Sequence, residues 1–239
     1  MRHIKTYRIY ENLSKPDSQL TEKQIDFLNQ HVKGIAGGSG NWKYYPDTNT
    51  VDVEDSFVCN DNSDIKDLMG IQFEKCFGDF EVHKCSLETL KGSPKYIGGN
   101  FHVYDNKLES LEYFPLRVSG TCDVSGNPIV CLDGLADSKL NSFFAVECNL
   151  ITTQGISEAR TYNFGDNPIS QELLREGYNE WLYTSKYDNY YKTIFEDHTS
   201  IISQYFEKLP DYIQQDMARS NNISLKEFKT ILRASKRFY

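Results

Sequence analysis

Side chains of the same kind return every 21 positions along the middle of this chain, and few folds satisfy such a period. With Cys85, Asn106, Asn127, Cys148 and Asn167 as reference slots, the steps are 21, 21, 21 and 19. Five positions before each slot stand Phe80, Phe101, Cys122, Phe143 and Tyr162. Three before stand Val82, Val103, Val124, Ala145 and Phe164, and two after stand Leu87, Leu108, Ile129, Leu150 and Ile169. A looser earlier copy carries Phe57, Cys59 and Asn62. Leu90, Leu111 and Leu132 keep the same step, as do Gly78, Gly99 and Gly120, and the pair Pro94 and Pro115.

Residues two apart on a strand share a face, so Phe101 and Val103 point one way while His102 and Tyr104 point the other. An Asn at the strand's end can turn inward, where its amide satisfies backbone groups bared by the bend. Cys is small, buries well and keeps a weak donor, so it suits the same slot. A single coil cannot cover its own apolar face, and stacking covers it. The fold class expected is α/β: a short solenoid with a parallel β-sheet, an N-terminal helical cap and a C-terminal helical subdomain. Twenty-one residues leave little room for a full helix after strand and turns, so extended or 3₁₀ backbone is expected on the outer side.

The slots fit L-x-L-x-x-N/C-x-L, the core of a leucine-rich repeat at the short end of its period range. The text LETLKGSPKYIGGNFHVYDN, followed at once by KLESLEYFP, also resembles the leucine-rich-repeat-like proteins of large tailed bacteriophages. Their repeats read approximately L-x-S-L-x-G-x-P-x-x-V-G-G-x-F-x-x-x-x-N. The resemblance covers residues 50–170, and the copies decay after residue 132, where Gly-Gly disappears. It implies a viral solenoid acting in a host bacterial cytoplasm and fixes no activity. Three regions follow: an N-terminal segment with a capping helix at 1–49, the repeats at 50–170 and a helical C-terminal subdomain at 171–239.

The opening MRHIKTYRIYE is similar to the capsid-targeting peptides of phage internal proteins, which are removed after a Glu preceded by Ile or Leu two residues earlier. Ile9, Tyr10 and Glu11 fit that processing pattern, which implies packaging in the virion; the other reading is a strand or amphipathic segment lying on a neighbour. Thr21 and Gln24 form a possible capping box, with Leu20, Ile25 and Leu28 placed to cover the first coil. Residues 34–50 read as a loop without phosphate-binding spacing. After Pro168 the apolar residues take helical spacing through QELLREGYNEWLYTSKYDNYYKTIFEDHTSIISQYFEKL, DYIQQDMARS and SLKEFKTILRAS, the last opened by the pair Ser224 and Glu227. The tyrosines of this stretch, Tyr187, Tyr190 and Tyr191 among them, either pack between helices or form a partner patch.

The net charge of −8 is uneven. Residues 52–170 hold 9 Lys/Arg against 19 Asp/Glu, a balance of −10. Such a middle repels phosphate backbones, so the expected partner is a protein with a basic or mixed surface and not nucleic acid. No run of 18 apolar residues is present, and no membrane partner is expected. Oligomeric state is left open. Six cysteines without zinc-like or disulfide-scaffold spacing point to a reducing compartment.

Enzymatic readings fare poorly. No cysteine follows Cys148 to serve a helical ubiquitin-ligase domain, and no nucleophile elbow, HExxH or Walker-type motif is present. Cys59, Cys85, Cys122 and Cys148 occupy inward slots and read as core, not zinc ligands. His83 and His102 would make only a two-ligand metal site. A hydrolase or transferase around His198 ranks last. No enzyme, cofactor or metal is therefore expected, and what remains is a surface. The outward strand slots are Glu81 and His83, His102 and Tyr104, Asp123 and Ser125, Phe144 and Val146, then Asn163. They are the expected partner-binding ladder, with Phe144 and Val146 exposed or covered by the C-terminal helices.

Overall fold

A computed structural model of the chain describes residues 19–34, 37–135, 138–152, 155, 157, 159–170, 181–183, 206–209, 211–220 and 223–235. Ile9, Tyr10 and Glu11, the tyrosines Tyr187, Tyr190 and Tyr191, and His198 lie outside the described residues.

Helix α1 (Glu22–His31) opens with the expected box: the Thr21 hydroxyl accepts from the Gln24 amide, and the Gln24 side chain accepts from the Thr21 amide at 2.9 Å. Its buried face is Phe27, Leu28 and His31. Ile25 is only half-buried, so Phe27 takes the place expected of it. The Phe27 and His31 rings lie 5.6 and 5.8 Å from that of Phe57.

The strands follow as β1 (Val32–Lys33), β2 (Trp42–Tyr45), β3 (Thr50–Val53), β4 (Ser56–Asn60), β5 (Phe73–Cys76), β6 (Phe80–His83), β7 (Tyr96–Ile97), β8 (Phe101–His102), β9 (Arg117–Val118), β10 (Thr121–Asp123), β11 (Ser142–Phe144), β12 (Thr161–Asn163) and β13 (Trp181–Tyr183). The long sheet has the order β1-β4-β6-β8-β10-β11-β12-β13, and the short one β2-β3-β5-β7-β9. From β4 to β12 every pairing in the long sheet is parallel. The molecule is a parallel-sheet β-solenoid of about five turns.

Pairing follows the repeat. Phe57 sits opposite Phe80, Phe80 opposite Phe101, Phe101 opposite Cys122, Cys122 opposite Phe143 and Phe143 opposite Tyr162. All six side chains are buried. The amides form a second column. Asn106 Nδ2 donates to Val82, Val103 and Tyr104 carbonyls, and its Oδ1 accepts from the Cys85 and Leu87 amides. Asn127 donates to Val103, Val124 and Ser125 and accepts from Leu108. Asn167 repeats the scheme with Ala145, Phe164, Gly165 and Leu150. Each amide therefore ties its own coil to the one before. Cys85 and Cys148 hold the slot by donating Sγ–H to two carbonyls each, over 3.4–3.6 Å.

One residue before each slot the chain turns through the left-handed region. Asp61, Lys84, Asp105, Glu147 and Asp166 have φ of 52–54°, and Gly126 has 65°. Asp tolerates this conformation best among the non-glycine residues here, which is why it recurs at that corner as Asp61, Asp105 and Asp166.

Three expectations need correction. The outer segment before each Gly corner is not merely extended: β5, β7 and β9 pair into a second parallel sheet, because coils one strand spacing apart align their free backbone groups. Residues 42–45, read as loop, form a hairpin with β3 around the turn at 46–49, where Asn49 has φ of 52°. Trp181–Tyr183, read as helix, instead pairs antiparallel with β12 and covers that edge of the long sheet, as β1 covers the other. The helices Asp211–Ser220 and Leu225–Ser235 do form, the latter opened by Ser224 and Glu227 as expected. Tyr212 donates to Asp133 Oδ1 at 2.5 Å, joining the first of them to the solenoid.

Candidate functional site

The outward strand slots lie side by side on one face of the long sheet. Glu81 is opposite His102, His102 opposite Asp123, Asp123 opposite Phe144 and Phe144 opposite Asn163. Inward neighbours are buried and all nine outward residues are half-buried, as alternation on a one-sided sheet requires.

Its densest part is built by β6, β8 and the residue pair that follows β8. Glu81 Oε2 is 3.8 Å from His83 Nε2, and Oε1 is 3.7 Å from His102 Nδ1. His83 stacks on Tyr104 with centroids 4.4 Å apart and planes within 11°. Burial pushes the His83 imidazole below its ordinary range; Glu81 and Asp61 oppose that shift, while His102 and Lys84 add to it. Its Nδ1 is buried with no hydrogen-bond partner. Burial and then the charges of Glu81 and Asp123 raise the Tyr104 phenol, which stays neutral. The cluster can present one carboxylate between two imidazoles, with an aromatic plate alongside.

The rest of the row differs. Asp123 Oδ1 accepts from the Ser125 amide, Ser125 Oγ from the Val146 amide, and Asn163 Oδ1 from the Gly165 amide, each at 3.0 Å. These three side chains also brace the corners. Phe144 and Val146 are half-buried, not exposed. Large apolar residues that are exposed lie elsewhere, among them Phe77, Tyr96, Tyr113 and Leu116.

Burial suppresses thiol chemistry at five of the six cysteines, Cys85 being half-buried. Desolvation pushes Cys59, Cys76 and Cys148 up to about 12 and Cys131 up to about 11, and Cys122 is raised further by the same cause. Such thiols are protonated and poor nucleophiles. Among the described residues no group of three or more His, Cys, Asp or Glu is arranged to hold a metal ion.

No protein-family model, curated protein or solved structure matches this chain. A further row of side chains falls outside the slots that the repeat marks. Lys75, Tyr96 and Arg117 recur at steps of 21 on the short sheet. The recurrence is present in the sequence, but a strand of two residues is too short to announce its faces.

Proposed function

We propose that this chain is a non-catalytic recognition protein, similar to the leucine-rich-repeat-like proteins of tailed bacteriophages, that holds a host or phage protein on the outward face of its long sheet. The supporting observation is the Glu81–His83–His102–Tyr104 cluster: four polar and aromatic groups gathered on one rigid face, two strands wide, from sequence positions 21 apart. Tyr is among the residues that most often anchor protein interfaces, and a preorganised scaffold lowers the ordering cost of binding. The site of action would be a host bacterial cytoplasm.

A photo-crosslinking residue at His102 tests this. The reading expects one predominant adduct from infected-cell lysate, lost on Glu81→Lys/Asp123→Lys with circular dichroism unchanged. Equal capture by the reversed variant would remove the face from consideration.

A second reading, an internal virion component, rests on the Met1–Glu11 sequence. Mass spectrometry of purified particles decides it: packaging requires the protein in particles with its N-terminus beginning after Glu11.

A further inference from the structure

The short sheet has an outward face that the net charge conceals. Its cross-strand pairs run Lys43 to Asp52, Asp52 to Lys75, Lys75 to Tyr96 and Tyr96 to Arg117, and a bridge carries the row on to Lys139. The following residues Val53, Cys76, Ile97, Val118 and Leu140 are buried, so the row points outward. Asp52 alone in it is buried; Lys43, Lys75, Tyr96, Arg117 and Lys139 are exposed. Among the described residues Lys75, Arg117 and Lys139 have no ion-pair partner. Lys95, beside Tyr96, is held by Glu74 at 2.9 Å. Exposed apolar residues accompany the cations along the chain: Tyr96, in the row itself, is 43% exposed, Leu116, next to Arg117, 42%, and Phe77, two residues after Lys75, 59%.

This arrangement is a cationic row with an aromatic centre on a protein of net charge −8. Neighbouring strands are about 4.8 Å apart, so Lys75 to Lys139 spans about 14 Å. Of the acids on this sheet, Asp52 is buried and Glu74 is paired with Lys95, while exposed acids stand at the corner residues Asp61, Asp105, Glu147 and Asp166. We propose that this face binds an extended acidic segment of a partner protein, with its carboxylates against Lys75, Arg117 and Lys139 and an apolar side chain against Tyr96 and Leu116. Two features favour a peptide over a nucleic acid. A phosphate chain carries charge at every unit and would meet the acidic remainder of the repeats once past the row. A peptide can confine its charge to the row and bring apolar groups to Leu116 and Phe77. Arg and Tyr are also the residues that most often anchor protein contacts.

Fluorescence anisotropy with a labelled peptide of alternating Glu and Leu or Tyr, about twelve residues long, tests the proposal. Parallel arms use a Lys-for-Glu peptide and an oligothymidylate of similar length. The acidic peptide should bind, and Lys75→Glu/Arg117→Glu should weaken it at least about tenfold, as should raising salt from about 0.05 M to about 0.5 M. Tyr96→Ala should weaken binding about three- to tenfold while leaving the salt dependence unchanged. Glu81→Lys/Asp123→Lys, on the other sheet, should leave this binding intact, so failure here and failure of the long-sheet reading are separable. All the substituted side chains on the short sheet are exposed, and unchanged melting curves establish that the variants fold. No binding of the acidic peptide, full binding by the Lys75→Glu/Arg117→Glu variant, or tighter binding of the oligothymidylate overturns the proposal.

Discussion

Phe114 packs edge-on against Phe101, with centroids 5.2 Å apart and planes at 86°, from a segment that belongs to neither sheet. Its ring also lies 6.1 Å from Phe143. In the long sheet, Phe101 and Phe143 are separated by the strand that carries Cys122. The aromatic column stacks directly at Phe57 to Phe80 (4.9 Å) and Phe80 to Phe101 (6.0 Å), then meets a small side chain. Phe114 fills the volume that Cys122 leaves.

Complementary volumes make these two positions coupled. Phe114→Ala should cost about 3–5 kcal/mol as a buried cavity. Cys122→Phe alone should cost about 1–3 kcal/mol by overpacking. The double variant should be more stable than the sum implies by about 1 kcal/mol or more, read from urea denaturation. Simple additivity would show that Phe114 does not serve that gap.

The amide column predicts a graded series. Asn106→Ala strips partners from three carbonyls and two amides, and should lose about 2 kcal/mol or more. Asn127→Ala, which accepts from one amide instead of two, should cost less. Asn106→Cys should fall between wild type and Asn106→Ala, because Cys85 and Cys148 already serve the slot with a single weak donor. Chemical denaturation ranks the three; Cys as costly as Ala would contradict the shared role.

A Cβ built on Gly98 would overlap the carbonyl oxygen of Phe77 in the preceding coil. Gly98→Ala should therefore destabilise by about 1–3 kcal/mol. One coil on, Ser119 follows Val118 as Gly98 follows Ile97, and it already carries a side chain. Ser119→Ala should stay within about 0.5 kcal/mol of wild type in the same thermal melt. Comparable losses at the two sites would show that close approach is not what selects glycine.

Two histidines make stability depend on mild acid. Burial lowers the His31 imidazole, opposed by its hydrogen bond to the Val58 carbonyl at 3.0 Å, with Lys33 lowering it further. His83 is lowered mainly by burial as well. A lowered folded-state value means that the unfolded chain binds the extra protons. The stabilisation is thus complete above the ordinary value of 6.5 and falls as pH drops below it. Urea midpoints should decline from about pH 7 to about pH 5.5, and His31→Gln/His83→Gln should flatten that decline. An unchanged slope in the double variant would assign it to carboxylates.

The strand periodicity made much of the long sheet legible. Phe80, Phe101, Cys122, Phe143 and Tyr162 stand in adjacent strands as their spacing requires, and Asn106 and Asn127 meet the bared backbone groups. The nine outward residues follow from the same alternation. Their roles did not: whether Asp123 and Ser125 brace a corner or await a partner depends on backbone amides from the same corner and the next coil, which no local pattern records. The hairpin Trp42–Tyr45 with Thr50–Val53 was readable from aromatic strands flanking Pro, Asp and Asn, but the glycines before it masked the signal.

What the sequence by itself determined is the coil: its period, its inward side chains and its capping amides, since each is set by alternation within one turn of chain. Only the tertiary structure decided what coils do to one another. Phe114 filling beside Cys122, the two-residue strands joining into a second sheet and Trp181–Tyr183 closing an edge all depend on side chains and backbone outside their own stretch of chain. A strand of two residues has no period to read, and its partner's backbone, not its own side chains, makes it a strand.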